Sequence, residues 1–276
     1  MTTSAFEEPG GLRRLSWAVA DTRAIVGRHL SHVFGVPEEL AAGLILPVVF
    51  VVLFAYVLGS AIVLPGGGNY REFLMPGIFT QSMALMCTAM AVAVATDRTT
   101  GFLDRLKSLP MARSAALGGH VLATTLQGVL SLVTMSVLGY LVGWRIRTDA
   151  LHAAAAYGLL LLLALAMLWI GAYIGLLART VTVADNATFG WIFPLTFLAN
   201  TFVPSRGLPG WLQPFAEWNP IASTVQAARE LFGNPVPPHA PSWPLDHAIV
   251  SSLAWSIAII AVIAPLAVRR YRTATR

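Results

Sequence analysis

The sequence predicts an all-α polytopic membrane protein, and three observations carry that class. Of its residues 56% are hydrophobic and only 11% charged, with a mean hydropathy of +0.69, too little polar side chain to cover a water-soluble globule. Six runs are free of Asp, Glu, Lys and Arg: 40–70, 73–96, 114–144, 150–178, 186–205 and 247–268. Each reaches the roughly 20 residues that a spanning helix needs. No stretch alternates apolar and polar residues over about ten positions, as the strands of a membrane barrel would. Six spanning helices are therefore expected near 41–63, 74–95, 115–142, 151–177, 182–203 and 248–268, within one transmembrane domain covering 1–276.

The chain opens on 1–39, a cytoplasmic N-terminus by expectation. Glu7, Glu8 and Pro9 stand where a cleavable signal peptide needs a basic region and an apolar core. Leu12, Leu15, Val19, Val26, Leu30 and Val33 share one side of a possible helix, with Arg13, Arg14, Asp21 and Arg28 elsewhere around it. That pattern suits a helix lying in the membrane interface and broken at Pro37; a disordered basic tail is the alternative. The first span, 41–63, follows, then the second, 74–95, which holds Cys87. As the sole cysteine, Cys87 rules out an intrachain disulfide and reads as a small packing residue.

Between the second and third spans lies the charged, amphipathic segment TDRTTGFLDRLKSLPMAR, residues 96–113. Arg98, Arg105, Lys107 and Arg113 are its cations, while Phe102, Leu103, Leu106 and Leu109 recur at helical spacing and form one apolar stripe. Thr99 or Thr100 can cap the start of such a helix, and Pro110, lacking an N–H, cannot continue it. A short surface helix built to dock on a partner is the reading; the alternative is a solvated loop whose arginines only set orientation.

The third and fourth spans, 115–142 and 151–177, carry His120 near the start of the former, and the fifth, 182–203, carries Asp185 about a turn in. Both lie toward the same end and read as structural groups rather than proton carriers. After the fifth span PSRGLPGWLQPFAEWNP, 204–220, holds too much Pro and Gly for a straight helix, yet it contains Leu208, Trp211, Leu212, Phe215 and Trp218. It either dips into the membrane, with its broken backbone satisfied by protein or a wet cavity, or lies outside as a loop with interfacial aromatics. Trp211, Trp218 and Trp243 suit the headgroup level. GNPVPPHAPSWP, 233–244, reads as a stiff extended loop before the sixth span, 248–268.

Charge orients the whole. With both termini cytoplasmic, the inner set is Arg13, Arg14, Arg23 and Arg28, then Arg98, Arg105, Lys107 and Arg113, then Arg179, then Arg269, Arg270, Arg272 and Arg276. The outer set is Arg71, Arg145, Arg147, Arg206 and Arg229. This asymmetry over short loops is a positive-inside pattern in a cell membrane, so the net charge of +5 belongs to topology and anionic headgroups, with no case for nucleic acid. Lys107, the only lysine, stands in GFLDRLKS, with no glycine-rich turn before it to cradle a phosphate. The adjacent acids, Glu7-Glu8 and Glu38-Glu39, fall outside the spans. Neither an ATP site, a catalytic centre nor a metal site is expected in the chain.

Three separated blocks carry a resemblance: NYREFLMPGIF at 69–79, DRTTGFLDRLKSLPMAR at 97–113, and LPGWLQPFAEWNPIASTVQAARELFG at 208–233. With the six spans, they make the chain similar to the membrane subunit of an ABC-2 type exporter, of the daunorubicin-resistance type of permease. The resemblance implies a cytoplasmic coupling segment at 97–113, in which Asp97, Arg98, Gly101, Phe102, Leu103, Asp104, Arg105, Leu106, Leu109, Pro110 and Arg113 meet a cytosolic ABC ATPase. Asp97 stands where many relatives have Glu, which keeps the charge and shortens the reach. It implies an extracellular re-entrant hairpin at 204–233 with Trp211, Glu217, Trp218, Asn219 and Pro220, and a substrate path along spans two and five, lined by Phe79, Gln81, Met83, Met86, Phe193, Thr196, Asn200 and Phe202; the plainer reading of these eight is helix packing.

Its implied partners are two ATPase subunits, which hold ATP and Mg, a second six-span permease, identical or paralogous, and membrane lipid. The implied function is export of a hydrophobic or amphipathic small molecule such as a drug, or of a lipid or polyketide-derived envelope lipid. A carrier or channel without an ATPase is disfavoured by the docking stripe and by the scarcity of ionisable groups within the spans.

Overall fold

The computed structural model describes residues 45, 48–49, 51–58, 67–101, 113–202, 208–239 and 241–273. Among them every regular element is helical. A π-helical stretch, Leu53–Leu58, precedes eight α-helices: α1 (Tyr70–Thr99), α2 (Arg113–Val142), α3 (Ala150–Leu177), α4 (Val181–Leu198), α5 (Gln213–Glu217), α6 (Pro220–Phe232), α7 (Trp243–Asp246) and α8 (Ala248–Thr273). Among the described residues four helical stretches are long and apolar enough to cross a membrane: Tyr70–Thr99, Leu117–Val142, Ala150–Leu177 and Ala248–Tyr271. They overlap the expected segments 74–95, 115–142, 151–177 and 248–268.

The two other expected spans stand differently. Most of 41–63 lies outside the described residues, as does the expected interfacial helix in 1–39. The expected fifth span, 182–203, is helical only over its first part. α4 has 18 residues, roughly 27 Å at 1.5 Å per residue, and it includes Asp185, Asn186 and Pro194. Beyond it Asn200 adopts a left-handed φ of 59°, which turns the chain.

Local chemistry sets the helix ends. At the start of α1 the Asn69 Oδ1 accepts the Arg71 backbone N–H at 3.0 Å, and Glu72 lies in the first turn, where the positive helix end favours it. Asp149 begins α3 by accepting the His152 N–H at 2.8 Å, and Thr180 begins α4 by accepting that of Val183 at 3.2 Å. The hydroxyls of Thr99 and Thr100 donate back to the Thr96 carbonyl at 3.1 and 2.9 Å, and Gly101 follows at φ 69°. These hydroxyls thus satisfy a carbonyl left free at the end of α1.

α1 and α3 form the centre of the bundle, and α1 is flanked by α3, α4, α6 and α2. Its tightest contact is with α3 and depends on absent side chains. A Cβ on Gly171 would collide with the Cys87 backbone carbonyl, and one on Gly175 would lie 2.6 Å from that of Ala91. Gly171 and Gly175 form a small-xxx-small face, which lets two apolar helices approach closely enough for backbone-to-backbone contact. Cys87, fully buried at this crossing, is the packing residue expected.

Within 208–233 the described residues form the helices α5 and α6. α6 buries Ile221–Arg229 and packs on α1, α3 and α8. Two hydroxyl pairs join it to α8, Ser223 to Ser251 at 3.0 Å and Thr224 to Ser252 at 2.8 Å, pairing polar groups that would be unsatisfied among apolar neighbours. From Gly233, which closes α6 at φ 70°, the chain runs without regular structure to residue 239. The expected extended loop ends in the short α7.

Candidate functional site

The residues singled out from sequence fall in three zones. At the end of α1 opposite to Tyr70, Asp97 Oδ2 lies 3.6 Å from His120 Nδ1 of α2, which supplies a partner for the aspartate that departs from the family pattern. Arg98 reaches across to α3, donating from one guanidinium nitrogen to the carbonyls of Leu176 and Ala178 at 3.0 and 2.9 Å. A cation there answers the negative end of α3. Gly101 ends the zone and Arg113 opens α2. Phe102, Leu103, Asp104, Arg105, Leu106, Leu109 and Pro110, the body of the expected coupling segment, lie outside the described residues.

In the second zone, Phe79, Gln81 and Met83 of α1 are buried, as are Thr196 and the turn residues Asn200 and Phe202. Gln81 and Thr196 meet, the amide donating to the hydroxyl at 3.3 Å. Phe79 stands edge-on to Trp144 at 5.1 Å and to Phe232 at 6.2 Å. Met86, half-buried, would be 2.9 Å from a Cβ on Gly128 of α2. Within this chain Phe79, Gln81 and Met83 are covered by neighbouring elements, and Met86 is partly open. The surface that α4 leaves open is different. Phe189, Phe193 and Phe197, spaced by one helical turn, form a row in which Phe189 stacks on Phe193 at 5.0 Å and Phe193 lies tilted against Phe197 at 4.7 Å, and Phe202 and Phe54 extend the row at 4.8 and 4.1 Å. Phe189 and Phe197 are exposed and Phe193 half-buried. Of this row the sequence reading singled out only Phe193 and Phe202, although the spacing of four was visible.

The third zone is a clasp at the α2–α3 turn. Trp144, fully buried, donates from its indole to Asn234 Oδ1 at 2.7 Å, and the Asn234 amide donates to the Arg145 carbonyl at 2.9 Å. The Arg147 backbone N–H and the Thr148 hydroxyl donate to Phe232 and Leu231 at 2.8 and 2.6 Å, while the Arg147 guanidinium pairs with Glu72 at 2.7 Å. The end of α6 is thereby fixed to α1 and to the turn. Of the expected hairpin residues, Asn219 is a bridge: its Oδ1 accepts the Ile221 N–H at 2.9 Å, and its amide donates to the Leu195 carbonyl of α4 at 2.7 Å. Pro220 fits the first turn of α6, where no N–H is needed. Glu217 is buried at the end of α5, and the Trp211 and Trp218 rings are exposed.

Sequence reasoning placed Arg229 among outer-loop cations; it is the most buried charged side chain of the clasp. Its Nε donates to the Phe73 carbonyl at 2.9 Å, one terminal nitrogen donates to Asn200 and Thr201 carbonyls at 2.8 and 3.2 Å, and the guanidinium lies 3.7 Å over the Phe73 ring. Burial lowers its pKa to about 9, still above neutrality, so the group stays charged. It is held by carbonyl dipoles and an aromatic face.

Long apolar helices, polar clasps at both ends and a helical hairpin packed among them define a polytopic membrane protein; among the described residues no cluster of His, Cys, Asp and Glu suits a metal. The chain belongs to the ABC-2 type transporter family, which matches residues 20–232. It is 30% identical over 236 residues, 86% of this chain and 80% of the relative, to the daunorubicin resistance ABC transporter permease protein DrrB1 of Streptomyces coeruleorubidus. It is 24% identical over 270 residues, 97% of this chain and 94% of the relative, to the probable doxorubicin resistance ABC transporter permease protein DrrC of Mycobacterium tuberculosis. A putative transport permease, ycf38, of Porphyra purpurea is 24% identical over 226 residues, 78% of this chain and 75% of the relative.

Proposed function

We propose that this chain is the membrane permease subunit of an ABC exporter that moves a hydrophobic or amphipathic small molecule, of the drug class, out of the cell. The observation that carries the reading is the family match together with relatives named for daunorubicin and doxorubicin resistance that align over most of both chains. Two cytosolic ATPase subunits hold ATP and Mg beneath it, a second six-span permease pairs with it, and both termini are cytoplasmic. Leu103, Leu106 and Leu109 fill a groove on the ATPase while Asp104, Arg105 and Arg113 pair at its rim. Closure of the ATPase pair pushes on this segment. Packed helices transmit the push as rigid elements. Arg98 and the Asp97–His120 pair, which tie the end of α1 to α3 and α2, supply the connection.

For the cargo, the open row Phe189, Phe193 and Phe197 on α4 supports planar or greasy molecules, since aromatic faces stack on flat rings. The test is uptake of a fluorescent aromatic amphiphile into inverted vesicles holding this chain with its ATPase. Uptake driven by ATP with the proton gradient collapsed is expected, and Phe193→Ala should lower it several-fold. Uptake that follows the proton gradient and ignores ATP would refute the reading, and ATP-driven movement of lipid alone would replace the drug by a lipid cargo.

A further inference from the structure

A groove of about 470 Å³ opens between α2 and α3, lined by Val129, Leu132, Val133, Val137, Leu141 and Leu161, with Ser136, Tyr140 and Tyr157. Its lining is apolar apart from three hydroxyls, two of which are paired: Ser136 donates to the Leu132 carbonyl at 2.7 Å and meets the Tyr157 hydroxyl at 2.6 Å. The third belongs to the exposed Tyr140 ring, which Arg145 overlies. Val129, Val133, Val137 and Leu141 are exposed along one side of α2. From Val129 to Leu141 the groove runs roughly 18 Å along the helix, about the hydrocarbon depth of one leaflet.

Charge lies at one end only. Arg145, exposed, sits 5.1 Å over the Tyr140 ring, and one guanidinium nitrogen donates to the Tyr140 and Trp144 carbonyls, both at 2.7 Å. These bonds anchor the side chain at the mouth through one terminal nitrogen and leave its Nε and second terminal nitrogen available on an exposed side chain. Arg71 is close by, donating to the Val142 carbonyl at 3.0 Å. Of the acids at this end, Glu72 holds Arg147 at 2.7 Å, Glu230 accepts the Gln226 amide at 3.1 Å, and Asp149 holds His152, whose backbone N–H keeps the Asp149 carboxyl below the usual range. The mouth thus presents the Arg145 guanidinium above an apolar trough.

We propose that this groove holds one acyl chain of an anionic phospholipid whose phosphate rests on Arg145. An arginine fork meets phosphate with parallel hydrogen bonds, and an acyl chain matches a trough lined mainly by Val and Leu. The site is separate from the Phe189–Phe197 row on α4 and serves a resident lipid. It lies in the leaflet at the α2–α3 turn, which is the outer one in the expected orientation.

Native mass spectrometry of the full chain tests this, with phosphatidylglycerol and phosphatidylcholine of identical acyl chains in competition. The wild type should retain phosphatidylglycerol about tenfold better, the scale of one charge-assisted contact. Arg145→Gln, which keeps a donor for the two carbonyls, should bring the two lipids within about twofold. Val137→Trp, which fills the trough, should cost about tenfold for both while Arg145 stays in place. Elution and melting like wild type in lipid-free detergent establish that both variants fold. Equal retention of the two lipids by the wild type, or an unchanged preference in Arg145→Gln, overturns the proposal. So does disulfide cross-linking of Val137→Cys to a second copy in the membrane with no lipid bound, because the face would then be a subunit contact.

Discussion

Arg229 carries a full positive charge into the clasp, where three backbone carbonyls and the Phe73 ring receive it. Two of those carbonyls belong to the turn after α4, so the arginine holds that turn against α1. Arg229→Met should leave them unpaired and cost about 2–4 kcal/mol, seen as a melting point in detergent lowered by roughly 4–16 °C. Arg229→Lys should fall between, since an ammonium cannot span all three acceptors. The same turn makes Asn200 conformationally special. Its φ of 59° is a region that asparagine tolerates and β-branched residues do not. Asn200→Val should therefore destabilise by about 1–2 kcal/mol, whereas Asn200→Gly should leave the melting point nearly unchanged. These residues also mark where sequence reading stops. Arg229 sits in QAARELF, whose polar spacing resembles a surface helix, and only tertiary placement reveals that every side of it is covered. Asn200 was visible as a polar residue near an expected span end, but its backbone conformation was not.

At the scale of elements, the α1–α3 crossing is the contact on which the bundle depends, and it tolerates no side chain at Gly171 or Gly175. Gly171→Val should push the helices apart and cost at least the roughly 1–3 kcal/mol of ordinary overpacking, read as loss of monodisperse protein on extraction. Gly158, on the same helix with nothing within 4 Å of a Cβ, is the matched control, and Gly158→Ala should behave as wild type. The four long spans were legible because uninterrupted apolar runs leave few alternatives. α4 was less so. Thr, Asp, Asn and Pro within it weaken the hydropathy signal, and the chain turns at Asn200 before the run of uncharged residues ends. The hairpin was legible only as a break in the pattern. Proline and tryptophan showed that 204–220 could not be a plain helix, while the burial of α6 depends on hydroxyl pairs with α8 nearly thirty residues away. The GAYIG spacing at 171–175 was in plain view and shows how a small-residue face can be overlooked inside a very apolar run.

For the molecule as a whole, the two ends have different characters. The end with the α2–α3 turn is locked by aromatic packing around Trp144 and by bonds from Arg147, Thr148 and Asn234 to neighbouring elements. The other end is tied by Arg98 and the Asp97–His120 pair. The central claim is that this force comes from a separate ATPase through residues 97–113. Its most direct test is affinity purification of the full chain from its native membrane in mild detergent, wild type beside Leu106→Asp, with identification of every co-purifying subunit. Wild type should bring down a soluble ATPase bearing a phosphate-binding loop, and Leu106→Asp should lose it by burying an unpaired charge at the contact while remaining membrane-inserted. Equal recovery of that ATPase with both forms, or of no ATPase with the wild type, would contradict the account.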